Sequence, residues 1–113
     1  MDGIEMEIDK WLMGIFRNPV VEIALREGIA LAERLNQERL GGQGKIVDVR
    51  KSIEGEDYII VMEIPLEIYR DLDFTTEIGV EMLKFGDEIG VPLTLYFVPP
   101  GYYDRMISDP NSG

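Results

Sequence analysis

The chain has no cysteine and no histidine. The first absence excludes a disulfide framework and thiol chemistry. The second excludes histidine-bearing metal sites, Ser-His-Asp arrangements and imidazole bases. Basic residues are scarce as well, 11 Lys and Arg against 22 Asp and Glu, for a net charge of −11. A phosphate backbone or an anionic membrane would be repelled, and no basic patch with interleaved aromatics offsets this. No apolar run approaches the length of a transmembrane helix. The opening Met1-Asp2-Gly3-Ile4-Glu5 is acidic where a signal peptide carries positive charge. These features point to a soluble, cytoplasmic protein needing no cofactor, with neither nucleic acid nor membrane as partner.

What remains is adequate for one folded unit. A chain of 113 residues buries roughly 65% of its unfolded surface. The 45% apolar content is that of a globular protein. The expected organisation is an amphipathic helical arm over 1–17, a single α/β domain over 18–107 and a disordered tail over 108–113.

Within the arm, Ile4, Ile8, Trp11, Leu12 and Ile15 recur at i, i+4, i+7, i+8 and i+11, one face of a helix. Met6, Met13 and Phe16 widen that face. Two uses stay open, packing on the arm's own domain or forming a homodimer interface through Ile8, Trp11, Leu12, Ile15 and Phe16. Trp and Met are enriched at interface cores. The polar side is acidic, whereas membrane-surface helices are basic.

Asn18-Pro19 divides the arm from a second helix. Asn18 supplies an N-cap, and Pro19 suits a first helical turn. The pattern carries that helix to about Arg39, with Val21, Ala24, Gly28, Leu31 and Leu35 on one stripe and Val20, Ile23 and Ile29 elsewhere. Glu22 and Arg26 form an i,i+4 pair. Gly41-Gly42 ends the helix.

From Lys45 to Ile53 the sequence alternates, which predicts a half-wet edge strand with Val47, Val49 and Ile53 inward and Asp48, Arg50 and Ser52 outward. Lys51, on the apolar side, would protect the edge. Glu54-Gly55 predicts a tight hairpin. Asp57 to Ile64 lacks alternation and reads as a central strand covered on both faces. Pro65 stops it, and Leu66 to Leu72 allow one helical turn. Asp71 or Asp73 caps a longer helix whose stripe is Phe74, Ile78, Met82, Phe85 and Ile89, closed by Gly90. Val91 to Val98 then forms the last strand, ended by Pro99-Pro100-Gly101. The fold predicted is a small α+β, two-layer sandwich of order α-α-β-β-α-β. Its three-stranded mixed sheet contains a parallel βαβ unit and leaves two open edges.

No catalytic set emerges. Asp71, Asp73 and Glu77 fall short of a calcium loop in ligand number and lack its glycine. Their placement suits a helix N-terminus. Glu54, Glu56 and Asp57 read as a solvated turn. Gly41-Gly42-Gln43-Gly44 precedes a strand, whereas a dinucleotide fingerprint follows one and opens a helix. Pro99, Tyr102 and Tyr103 lie just beyond a parallel strand, where open α/β sheets bind ligands. They are a possible ligand region, with packing under the tail as the alternative.

Asp57-Tyr58-Ile59-Ile60-Val61-Met62-Glu63, the helix 74–89 and Gly90-Val91-Pro92-Leu93-Thr94-Leu95-Tyr96-Phe97-Val98 together resemble the second half of the minimal nucleotidyltransferases. The resemblance covers under half of the chain and implies a strand–helix–strand core. It implies two-metal phosphoryl transfer only where the carboxylates persist. Here Lys51-Ser52 stands for the family's Gly-Ser loop, Ile59 for its second metal-binding carboxylate and Thr94 for the third, leaving Asp57 alone. The relative implied is degenerate and non-catalytic. Three readings follow: a homo-oligomeric interaction module that binds a protein partner, a nucleotide-binding relative, and an acidic antagonist or nucleic-acid mimic from a phage or toxin–antitoxin system.

Overall fold

The computed structural model describes residues 19–52 and 57–102. The arm over 1–17, the Glu54-Gly55 turn and the tail lie outside them. Helix α1 (Pro19–Arg39) leads into β1 (Lys45–Lys51) and β2 (Tyr58–Glu63). A single turn, α2 (Leu66–Tyr69), and the long helix α3 (Leu72–Ile89) then return the chain to β3 (Leu93–Val98). The sheet order is β1-β2-β3, antiparallel between β1 and β2 and parallel between β2 and β3. The predicted mixed three-stranded sheet and parallel βαβ unit are present.

The register assigns every side chain to a face. Ile60 pairs with Leu95, Met62 with Phe97, and Val49 with Ile60. That face carries the core and receives both long helices. A Cβ on Gly28 of α1 would stand 3.0 Å from Leu93 Cδ1 and 3.4 Å from Ile60 Cδ1. On α1 the core takes Leu25, Ile29 and Ala32 besides the predicted stripe, because one helix flank meets the sheet and another meets α3. Arg26 and Glu22 join as predicted, at 3.3 Å. Ile59, Val61, Glu63, Thr94, Tyr96 and Val98 point to the opposite face. Val61 is only 1% exposed there, so β2 is buried on both sides at its centre, as its unbroken apolar run predicts.

The inward face of β1 differs from its alternation. Ile46 faces Met62 and Asp48 faces Val61, so Val47 is an extra residue in a β-bulge. The bulge shifts the pattern, and Ile46 and Val49 are buried while Val47 is half-buried. Alternation alone places Val47 inward, since one strand's sequence does not reveal where its partner skips a residue.

Asp71 caps α3, its Oδ1 accepting the Phe74 N–H at 3.2 Å, and Gly90 ends it in the left-handed region at φ 78°. Ile78 and Met82 of the predicted stripe are fully buried, and Phe74, Phe85 and Ile89 pack at its margin. This helix lies close along the outer edge of β3. A Cβ on Gly86 would fall 2.8 Å from Leu93 N, and one on Gly79 would fall 3.9 Å from Leu95 O. The edge predicted to be open is therefore lined by α3, one of the ways proteins shield unpaired strands.

Candidate functional site: an apolar groove between α3 and β3

Helix α3 is apolar on two sides. Its inner stripe enters the core. On its outer flank Leu72, Thr76, Val80 and Leu83 recur at i, i+4, i+8 and i+11, again one face of a helix. That flank and Thr94 to Phe97 of β3 form the walls of a groove of about 520 Å³, closed at one end by Tyr69 and Arg70. Leu72 is 71% exposed, and Leu83 and Tyr96 are each 50% exposed. Large apolar groups are thus held open to water side by side, an arrangement that marks binding surfaces.

Its electrostatics set the groove apart. The chain carries 22 carboxylate side chains, yet among the described residues none lines the groove, and Arg70 is the one charged residue there. The adjoining side of α3 is ionic. There Arg39 of α1 donates to Glu77 at 3.0 Å and to Glu81 at 2.6 Å, with its guanidinium carbon 5.6 Å from the centre of the Phe74 ring. Thr76 and Val80 border both sides, but among the described residues no ion pair falls on the groove side itself.

The sequence-predicted sites fall as follows. Ile8, Trp11, Leu12, Ile15, Phe16 and Tyr103 lie outside the described residues. Pro99 and Tyr102 stand at the carboxyl end of β3 in a turn in which the Tyr102 N–H donates to Pro99 O at 3.2 Å. The Gly101 N–H donates to Glu63 Oε2 at 3.0 Å. A carboxylate therefore already holds the turn, which disfavours anionic ligands there. Asp71 is engaged as a cap and Glu77 with Arg39, while Asp73 is exposed. No group of three or more carboxylates among the described residues is placed to hold a metal ion. Asn36 fastens the glycine loop, its amide bonding both the N–H and the C=O of Gly44. In the nucleotidyltransferase-like arrangement Ile59 and Thr94 are neighbours in register, and neither carries a carboxylate.

Sequence reasoning missed the groove because the stronger inner stripe of α3 claimed the helix. The signal was present: Leu72, Val80 and Leu83 repeat on a second face, and Tyr96 is the large apolar residue on the outward side of β3. No helix among the described residues is long and apolar enough to cross a membrane. Comparison with known families, with curated proteins and with solved structures returned no match.

Proposed function

We propose that the chain is a non-catalytic, acidic interaction module that acts as a homodimer in the cytoplasm and binds protein through the groove between α3 and β3. The observation that carries this reading is a water-exposed apolar groove with no carboxylate among its described lining residues, on a chain of charge −11. Burial of Leu72, Val80, Leu83 and Tyr96 by a partner removes apolar surface from water, and the lack of carboxylates among the described lining residues lowers the local repulsion that opposes association.

The alternatives have less support. A nucleotide-binding role would rest on element order alone, since Ile59 and Thr94 occupy the positions that need carboxylates. A nucleic-acid mimic needs carboxylates aligned and free on one face, whereas Glu77 and Glu81 of α3 are bound to Arg39. Light scattering on the full chain across the micromolar range tests the module reading. A dimer is expected, and a monomer at every concentration would overturn it.

A further inference from the structure

We infer that the groove is the seat of the amphipathic segment 4–16 donated by a second copy of the chain, so that two copies exchange arms. This rests on the module reading and names its partner.

Dimensions and charge agree with this occupant. From Ile4 to Ile15 the apolar stripe of the arm spans about 16 Å as a helix, and Leu72 to Leu83 spans the same length along the groove wall. An amphipathic helix laid in an apolar groove is a common mode of recognition. The arm brings Asp2, Glu5, Glu7 and Asp9 beside its stripe, and the groove offers them Arg70 and no carboxylate among its described residues.

The placement of α1 decides whose arm it is. Arg39 reaches Glu77 and Glu81 near the start of α3, and Leu31 and Arg34 lie beside Phe85 and Glu88 near its end. The two helices are antiparallel, and α1 overshoots the end of α3 by roughly 12 Å toward Pro19. Val20 and Ile23 on the overshooting turns are 63% and 58% exposed. An arm docking on its own groove would have to return along that length and also cross α3, itself about 10 Å wide. Only Arg17 and Asn18 separate Phe16 from Pro19, and the three Cα steps between them reach about 11 Å at most. A second copy's arm has no such tether.

The test uses two full-length variants. In the first, Val80→Glu and Leu83→Glu place carboxylates in the groove. In the second, Trp11→Glu and Leu12→Glu spoil the arm. Urea unfolding confirms that each remains folded, and Leu83→Ser replaces the first should it not. Each variant alone is expected to self-associate about 100-fold more weakly than the parent. An equimolar mixture is expected to regain a dimer, through the intact groove of one copy and the intact arm of the other. Trp11 is the only tryptophan, so its emission in the groove variant should shift to the blue only when the arm variant is added. A mixture that stays monomeric with unchanged emission overturns the exchange, as does a variant that dimerises like the parent. If the parent is dimeric in those cases, the module reading stands without the exchange. A parent that is monomeric throughout the micromolar range overturns both.

Discussion

Asn36 closes the loop between α1 and β1 by bonding Gly44 twice: its Nδ2 donates to Gly44 O at 2.9 Å, and its Oδ1 accepts the Gly44 N–H at 2.7 Å. Asn36 is itself buried. The amide mimics a paired strand where the chain turns from helix to sheet, and it needs both a donor and an acceptor. Asn36→Ala should cost about 2–3 kcal/mol, since two backbone groups lose partners away from water. Asn36→Asp keeps the acceptor and loses the donor, and should also destabilise. Urea midpoints at constant m-value measure both. Unchanged midpoints would mean that water replaces the amide.

Two glycines on α3 should respond with opposite sign. At Gly86 a Cβ would meet Leu93 N and Val91 O at 2.8 Å, backbone atoms that have no rotamer through which to yield. Gly86→Ala should therefore cost about 1–3 kcal/mol by pushing α3 off β3. At Gly79 the nearest atom is 3.9 Å away, and Gly79→Ala should gain about 0.5–1 kcal/mol from helix propensity. Thermal or urea unfolding of the two variants decides, and equal effects would contradict this packing of the helix on the strand.

The cap and the ion pairs of α3 should differ in weight and in salt response. Asp71→Ala removes the acceptor for the Phe74 N–H, and about 1 kcal/mol should be lost. Arg39→Ala breaks contacts to Glu77 and Glu81, which are largely exposed. A loss of under about 1 kcal/mol is expected, shrinking as salt screens the pairs. Urea unfolding at low and high ionic strength separates the two.

Much of the fold was legible because local chemistry and tertiary packing agree. Pro19 and the Gly41-Gly42 pair bound α1. Asp71 and Gly90 bound α3, and the unbroken run of β2 marks a central strand. The inward face of β1 was not legible, since the bulge at Val47 exists only in relation to Met62 and Val61. Nor was the shielding of the β3 edge, which depends on how closely Gly79 and Gly86 let a helix approach. The groove was half legible. Its apolar repeat on α3 is in the sequence, but the lack of carboxylates among its described residues arises from two segments folding together, 72–83 and 94–97.

The most direct measurement uses the absence of cysteine. Leu83→Cys places one thiol on the groove wall, and Glu38→Cys places one on the exposed surface of α1 as a control. Labelling by a maleimide is followed as the protein is diluted. If the groove is the working interface, Cys at position 83 reacts at least about tenfold more slowly in concentrated protein than in dilute protein, tracking the dimer population, while the control is unaffected. A rate at position 83 that does not change with concentration, in a sample shown by light scattering to contain dimer, would contradict the account.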